Sequence, residues 1–190
     1  MPNNGMDKYS DAELVELLQG KKKVAEAAFA ELYSRYSNSI YAYCLKIIGN
    51  SDDASDIYQD AMVKFYESCK NNYDITNVRG LMVTIARRLC INYLRDNKLK
   101  NKNISIEDYL GGVDDVKYED KELLQIISKC LSDMDFEYRE AFVLRNYHGY
   151  SYKEMAEITG EQLTTIKTRA WRAKEQLKEL IAPYFEDYKK

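Results

Sequence analysis

Apolar residues recur at every third or fourth position through most of this chain, and this spacing constrains the fold more than any other feature. Between positions 29 and 47 the recurring residues are Phe29, Leu32, Tyr33, Tyr36, Ile40, Tyr43, Cys44 and Ile47. Such a repeat places apolar side chains on one face of an α-helix, whereas a half-buried strand needs strict alternation. The sequence carries no alternating pattern, so we expect an all-α protein.

Capping and breaking signals divide the chain into helices and two domains. Helices are predicted after Ser10 and over about 22–48 (one or two helices), 51–69, 78–99, 119–131, 136–147, 151–159 and 164–182. Gly49-Asn50 predicts a helix end, and Ser51 followed by acids predicts the next start. The stretch 101–118 holds a Gly pair and many acids without a sustained period, which is typical of a linker. We expect an N-terminal segment (1–26), two small helical domains (27–100 and 119–182), a flexible acidic linker between them (101–118) and a tail (183–190).

Several classes of protein are disfavoured by composition. No apolar run approaches the roughly 20 residues of a membrane-spanning helix, and the N-terminus lacks the regions of a secretory signal, so we expect a cytoplasmic protein without membrane insertion. The chain has one histidine, His148, and no C-x-x-C pair. This argues against zinc fingers, most metal sites and Cys/His or Ser/His catalysis. In their apolar surroundings, the four cysteines are expected to be buried core residues: Cys44, Cys69, Cys90 and Cys130.

The net charge of −3 is unevenly distributed. Residues 51–60 and 103–120 are acidic, whereas residues 79–102 and 163–178 are strongly basic. Phosphate attraction is screened over about 10 Å, so a net-acidic protein can still present basic surfaces to DNA. Charge runs also occur on ordinary solvated helix faces, and charge alone leaves both interpretations open.

The segment YSYKEMAEITGEQLTTIKTRAWRAKEQL predicts a helix-turn-helix. Ser151 and Glu154 have the spacing of a capping box, and Gly160 stands where a tight turn between two crossing helices favours positive φ. The second helix is predicted to open at Thr164 or Thr165 and to turn Ile166, Ala170 and Ala173 inward. Its opposite face suits a recognition helix in the major groove. An ordinary helical hairpin with a basic surface helix is the alternative.

Taken in order, these parts resemble the extracytoplasmic-function (group IV) sigma factors of bacterial RNA polymerase, over about residues 27–180. SDDASDIYQDAMVKFYE resembles the most specific portion of sigma region 2, and NVRGLMVTIARRLCINYLRDNK resembles its promoter-melting part, which reads the minus-ten element. The segment from LSDMDFEYREAF to KEQLKEL resembles region 4, whose helix-turn-helix reads the minus-thirty-five element. The resemblance implies a non-enzymatic protein, without catalytic residues, metal or cofactor, that binds core RNA polymerase, directs it to promoter DNA and helps open it.

The resemblance also implies three sets of site residues. A polymerase-binding set would lie against the coiled-coil clamp of the β′ subunit: Asp52, Asp53, Asp56, Gln59 and Asp60. A minus-ten set would contact promoter DNA, with Tyr73 in a loop that helps form a base pocket: Tyr73, Arg79, Arg87, Arg88, Asn92 and Arg95. A minus-thirty-five set would lie on the recognition helix: Thr164, Thr165, Lys167, Thr168, Arg169 and Arg172. Asp52 and Asp53 also complement a helix dipole, whereas Asp56 and Asp60 lie beyond the first turn.

Two further partners follow from the resemblance: the β flap of the polymerase, and an anti-sigma factor that wedges between the two domains or wraps them. The sequence departs from the family pattern at Leu81, where Trp is usual, and at Arg88 and Asn92, where Asn and Asp are usual. An alternative function is a helix-turn-helix regulator with a helical sensing or dimerisation domain. Binding to core polymerase without DNA separates the two functions.

Overall fold

The computed structural model describes residues 5–71, 75–97 and 126–186, and all regular elements in these ranges are helical. They are α1 (Asp11–Leu17), α2 (Lys22–Ile48), α3 (Ser51–Asn71), α4 (Val78–Asp96), α5 (described over 126–132), α6 (Phe136–Phe142), a π-helix (Val143–Tyr147), α7 (Tyr152–Thr159) and α8 (Leu163–Glu186). The all-α class is thereby confirmed. The predicted linker over 101–118 and Tyr73 lie outside the described residues.

Helices α1 to α4 form the N-terminal lobe, in which α2, α3 and α4 pack against one another and α1 packs on α2. The side chains that recur at helical spacing turn inward, and Leu32, Ile40, Phe65 and Met82 are almost completely buried. All four cysteines of the chain are buried with free thiols, as their apolar surroundings predicted. None of the helices in the described ranges is both long and apolar enough to cross a membrane.

Short polar side chains set the helix boundaries of this lobe. Gly49 ends α2 in the left-handed conformation, with φ 83°. Helix α3 begins at Ser51, as predicted, and Asn50 caps it, because its Oδ1 accepts the Asp53 backbone N–H at 2.9 Å. At the start of α4, the Oδ1 atom of Asn77 accepts the Gly80 N–H at 2.8 Å. A Cβ on Gly80 would meet the Asn77 side-chain nitrogen at 2.5 Å, so a larger residue at position 80 would displace the capping side chain.

Helices α5 to α8 form the C-terminal lobe, in which α7 and α8 make the predicted helix-turn-helix. Ser151 and Glu154 form the capping box, and Gly160 turns the chain with φ 75°. The second helix of this motif, α8, begins at Leu163 and continues through Pro183 to Glu186, four residues beyond the approximate end predicted at Ala182. Leu180 and Ile181 lie against the same small apolar cluster as Leu177, so the C-terminal half of α8 packs on α5.

The two lobes contact each other directly. The α4 helix packs against α7, and α2 packs against both α6 and the π-helix. Val143, Leu144 and Tyr150 of the C-terminal lobe belong to the same buried cluster as Val83 and Ala86 of the N-terminal lobe. The apolar core of the N-terminal lobe therefore continues across the inter-lobe contact into the C-terminal lobe.

Candidate functional site

The outward face of α3 is acidic and exposed. Asp52, Asp56, Gln59 and Asp60 all point to solvent. Val63 is 57% exposed and follows Asp56 and Asp60 on the same helix face. Val63 is not among the predicted binding residues, although an apolar residue outside the buried stripe of a helix is a recognisable sequence signal. This face places carboxylates beside an exposed apolar side chain.

Asp53 has a different environment from the other acids of α3. Its carboxylate accepts the Tyr93 hydroxyl at 2.5 Å, and its backbone N–H donates to Asn50. Both bonds lie within the lobe, and the first joins α3 to α4. Four of the five predicted polymerase-binding residues are thus exposed, and the fifth holds two helices together.

A groove of about 700 Å³ runs between α3 and α4. Lys64, Ser68 and Asn71 line it from α3, while Arg88 and Asn92 line it from α4 above the apolar side chains of Leu81, Ile85 and Leu89. Arg95 is exposed one turn further along α4, where its Nε lies 3.0 Å from the Asp96 carboxylate. The groove therefore combines hydrogen-bonding groups with an apolar floor, a combination that fits a planar polar group such as a base.

Arg87 projects from α4 on the side away from this groove and contacts the other lobe. Its Nε lies 2.8 Å from Oε1 of Glu140 on α6, and its Nη2 lies 3.2 Å from Oε2. The Tyr43 hydroxyl donates to the same Oε1 at 2.8 Å. Burial raises the pKa of Glu140, while Arg87 and Tyr43 oppose that rise. The Arg87 side chain is 17% exposed and the Glu140 side chain 3%, so water has little access to the ion pair.

Arg79 also lies in the inter-lobe contact. Its guanidinium carbon sits 4.2 Å from the centre of the Tyr150 ring, a cation–π geometry. The same guanidinium donates to the backbone carbonyl of His148. The structure therefore separates the predicted minus-ten residues: Arg88, Asn92 and Arg95 are exposed, whereas Arg79 and Arg87 bind the C-terminal lobe.

The only histidine of the chain packs at the same contact. His148 is 8% exposed, and its Nδ1 lies 3.1 Å from the Ser39 hydroxyl. Burial, together with the nearby charges of Arg79 and Lys46, lowers the pKa of His148 to about 4. In the part of the chain that the structure describes, no group of three or more His, Cys, Asp or Glu side chains is placed to hold a metal ion. The imidazole is thus a neutral packing residue at neutral pH.

The recognition helix α8 presents one continuous polar face. Thr164, Lys167, Thr168 and Arg172 are exposed, whereas Thr165 is half-buried. Trp171 lies among them and is 63% exposed. Trp171 is not among the predicted minus-thirty-five residues, although it follows Lys167 and Thr168 at helical spacing. Trp171 thus places an exposed aromatic ring on a face that is otherwise polar and basic.

Arg169 lies at the edge of this face and is bound within its own lobe. Its Nη1 is 3.1 Å from the Glu161 carboxylate in the turn, and its Nη2 is 3.4 Å from the Glu137 carboxylate on α6. The Arg169 side chain is only 18% exposed. It therefore ties the recognition helix to the turn and to α6.

A second groove, of about 440 Å³, lies between the α6–π segment and the C-terminal half of α8. Phe142, Leu177 and Ile181 give it apolar walls, and Asn146 and Lys174 stand at its edges. An amphipathic helix of a partner fits a groove of this kind.

Each lobe matches a family model of known proteins. The family model of Sigma-70 region 2 matches residues 32–100, and that of Sigma-70 region 4 matches residues 124–177. The RNA polymerase sigma factor SigV of Bacillus subtilis (strain 168) is 27% identical, and the match covers 80% of this chain and 90% of SigV. The ECF RNA polymerase sigma-E factor of Haemophilus influenzae is 28% identical, over 93% of this chain and 98% of that protein.

A solved structure shows the same fold. The sigma factor RpoE from Bartonella quintana, in complex with the anti-sigma factor NepR, superposes with a TM-score of 0.67 at 24% identity, covering 81% of this chain and 96% of that one. The two sigma regions occur here in the same order, one in each lobe. The chain therefore belongs to the extracytoplasmic-function RNA polymerase sigma factors.

Proposed function

We propose that the chain binds core RNA polymerase through the outward face of α3 and directs it to promoters through α4 and α8. The observation that carries this proposal is the separation of the two kinds of surface. The acidic face around Val63 and the basic face around Trp171 lie on different helices of different lobes. A protein that must hold an enzyme and a DNA duplex at the same time needs such separate surfaces.

The α3 face suits the β′ clamp coiled coil that the resemblance names. Asp56 and Asp60 attract a basic partner helix and fix its register, since exposed charges at an interface contribute more to association rate and specificity than to affinity. Val63, three positions after Asp60, supplies an apolar contact to the same partner helix. The apolar groove between α6 and α8 is our candidate for the β flap, with Leu177 and Ile181 as its central contacts.

The α3–α4 groove is our candidate for the minus-ten element. Separating stacked base pairs costs about 1.4 kcal/mol per step, and a protein that captures an extruded base offsets part of that cost. Arg88 and Asn92 line the groove together with Asn71, so a base lying in it meets guanidinium and amide groups. Because the three positions that depart from the family pattern, Leu81, Arg88 and Asn92, all line this groove, the base preference of this chain should differ from that of its relatives.

The exposed face of α8 is our candidate for the minus-thirty-five element. Thr164, Lys167 and Thr168 occupy its first turns, where a recognition helix reaches base edges. Trp171 follows one turn later and is placed to pack on sugar or thymine methyl groups. Arg172 reaches phosphate or guanine, whereas Arg169 keeps the helix in place through Glu161 and Glu137.

An anti-sigma factor completes the proposed set of partners. The Bartonella RpoE was solved with the anti-sigma factor NepR. In the present chain the lobes already touch through Glu140, Arg87 and Tyr43. A partner of this kind would therefore wrap the joined lobes rather than wedge between them.

The proposal is tested with the full chain and purified bacterial core RNA polymerase. We expect the labelled chain to bind core in a fluorescence anisotropy titration without DNA. The resulting holoenzyme should yield run-off transcripts from a subset of a library of randomised upstream sequences. A chain that binds DNA but not core would instead be a helix-turn-helix regulator, and the proposal would be wrong.

A further inference from the structure

Gln19 connects the N-terminal segment to the end of α3. It lies in the turn between α1 and α2, and its side-chain amide Nε2 donates a hydrogen bond to the backbone carbonyl of Cys69. Cys69 belongs to the last turn of α3, which ends at Asn71. The last four carbonyl groups of a helix have no partner within the helix, so a donor from outside stabilises this turn.

The last turn of α3 is also part of one wall of the α3–α4 groove. Ser68 and Asn71, which precede and follow Cys69, line the groove from α3, while Arg88 and Asn92 line it from α4. The Cys69 side chain is buried in the core of the lobe. The width of the groove therefore depends on where the turn that contains Cys69 lies relative to α4.

The segment that carries Gln19 is itself fixed to the lobe. Three of its apolar side chains are buried in the core: Leu14, Val15 and Leu18. The Arg35 guanidinium on α2 lies 2.8 Å from the Asp11 carboxylate, and its Nη2 donates to the backbone carbonyls of Asp7 and Tyr9 at 3.1 and 2.8 Å. Because the donor segment is anchored in this way, its hydrogen bond can hold the end of α3 in place.

The end of α3 is a place where such support matters. A site that holds a planar group between two walls needs those walls fixed to within about 0.5 Å. Helix ends fray, and Asn71 lines the groove from the end of α3. The carboxyl end of a helix also carries partial negative charge, so an amide donor stabilises it, whereas a carboxylate would repel it.

We infer that Gln19 is a positioning residue for the α3–α4 groove: by donating to the Cys69 carbonyl, it holds Asn71 at the distance from α4 that an extruded base requires. This role rests on the proposed function of the groove and adds a residue that does not itself touch DNA. Gln19 precedes residues 32–100, which match the Sigma-70 region 2 model. The N-terminal segment thereby takes part in capturing the base.

Variants of the full chain separate the hydrogen bond from the charge. Gln19→Glu keeps the size of the side chain, removes the donor and places a negative charge beside the carboxyl end of α3. Gln19→Ala removes the donor without adding charge, and Gln19→Lys keeps a donor whose charge suits this helix end. Ala12→Glu is the control, because it adds the same negative charge at an exposed position of α1.

Amide hydrogen exchange measures the effect on α3 without polymerase or DNA. We expect the amides of residues 68–71 to exchange about tenfold faster in Gln19→Glu and about threefold faster in Gln19→Ala, because the last turn opens more often. Exchange in Gln19→Lys and Ala12→Glu should stay close to that of the unchanged protein. Urea unfolding establishes that the lobe remains folded. Unchanged exchange in both Gln19→Glu and Gln19→Ala would overturn the inference.

Binding by the holoenzyme measures the effect on base capture. Each variant is combined with core polymerase and titrated with two probes from a promoter that the unchanged protein selects. One probe is a fork whose minus-ten segment is single-stranded, and the other is a duplex that carries only the minus-thirty-five element. We expect Gln19→Glu to bind the fork about tenfold more weakly and Gln19→Ala about threefold more weakly, with affinity for the duplex unchanged.

Two further readouts distinguish positioning from a general loss of stability. Gln19→Lys should bind the fork within about twofold of the unchanged protein, since it retains a donor. When the extruded base of the fork is replaced, the preference for the original base should shrink in Gln19→Glu, because the walls of the groove are no longer held. Retained preference, or a Gln19→Lys variant as defective as Gln19→Glu, would overturn the inference.

The remaining outcomes separate this role from the proposed function. An equal loss of affinity for both probes in Gln19→Glu would show that the effect is not specific to the groove, and the inference would be wrong. The same conclusion follows if all Gln19 variants bind the fork as the unchanged protein does. If the unchanged holoenzyme itself fails to bind the fork, the proposed function of the groove fails, while the exchange measurement still decides whether Gln19 holds the end of α3.

Discussion

The hydroxyl group of Tyr93 donates a 2.5 Å hydrogen bond to the carboxylate of Asp53, and this bond joins the proposed promoter-reading helix α4 to the proposed polymerase-binding helix α3. Asp53 stands among four exposed neighbours of the same predicted set, yet it is half-buried. Asp53 therefore joins two helices, whereas the exposed acids beside it are available to a partner. Two substitutions test these roles separately.

Replacing Asp56 tests the exposed acidic face. We expect Asp56→Ala to slow association with core polymerase several-fold at low salt, and the difference to shrink as salt screens the charge. The free energy of unfolding should change by less than about 0.5 kcal/mol, because the side chain is exposed. Stopped-flow binding at two ionic strengths measures the first effect and urea unfolding the second. Normal association at low salt would remove Asp56 from the interface.

Replacing Asp53 tests the bond between the helices. Asp53→Ala should lower the free energy of unfolding by about 1–3 kcal/mol, since it removes a charge-assisted hydrogen bond and leaves the Tyr93 hydroxyl without this acceptor. Tyr93→Phe is the matched variant from the other side of the bond and should have a smaller effect. If Asp53→Ala weakened core binding and left the urea midpoint unchanged, Asp53 would belong to the exposed face instead.

Local sequence signals predicted the helices and the helix-turn-helix because those features depend on neighbouring residues. The capping box of Ser151 and Glu154 and the positive φ of Gly160 each involve residues a few positions apart. Arg88 and Asn92 are likewise four residues apart on α4, a spacing that places two side chains on one helix face, and both line one groove.

The inter-lobe contact could not be predicted in this way. Arg87 and Glu140 are 53 residues apart, and Tyr43 and Glu140 are 97 apart, so no periodicity connects them. An arginine in a basic segment has the same sequence signature whether it pairs with a phosphate or with a carboxylate of its own chain. Arg169 illustrates the point again, since only the fold brings Glu137 and Glu161 to its two guanidinium nitrogens.

Lys167 tests direct contact between α8 and DNA. It is exposed on the polar face, so we expect Lys167→Ala to weaken binding to all duplexes by a similar factor and to reduce the slope of log affinity against log salt by about 1. Thermal stability should not change. Anisotropy titrations of the full chain on two unrelated duplexes at several salt concentrations give both quantities. An unaltered salt slope would mean that Lys167 does not bind a phosphate.

We expect Arg169 to affect DNA binding indirectly, by holding the recognition helix in position through its two ion pairs. Arg169→Ala removes two partly exposed ion pairs, so we expect the free energy of unfolding to fall by about 1 kcal/mol. Its effect on DNA affinity should be reproduced by the double change Glu137→Gln and Glu161→Gln, which releases the same guanidinium without removing it. If the double variant binds DNA normally and Arg169→Ala does not, Arg169 contacts DNA itself.

The buried imidazole of His148 makes the inter-lobe contact sensitive to acid. Its pKa in the folded chain is about 4, below the ordinary value of 6.5. Between pH 4 and pH 6.5 the unfolded chain binds a proton at His148 that the folded chain does not bind. The contribution of the imidazole to the free energy of unfolding is therefore fully present above about pH 6.5 and is lost as the pH falls toward 4. The pKa of Glu140 is raised, so its contribution to the free energy of unfolding has the opposite pH dependence and is lost as the pH rises.

Comparing the unchanged protein with a His148→Gln variant measures the contribution of the imidazole alone, because Glu140 is present in both proteins. Since the chain has no other histidine, a single imidazole signal in an NMR titration also reports the folded-state pKa directly. In urea unfolding, the unchanged protein should lose stability relative to His148→Gln between pH 6.5 and pH 4.5, and the two curves should run parallel above pH 7. Parallel curves over the whole range, or a folded-state pKa near 6.5, would mean that His148 is open to water and that the lobes do not enclose it in solution.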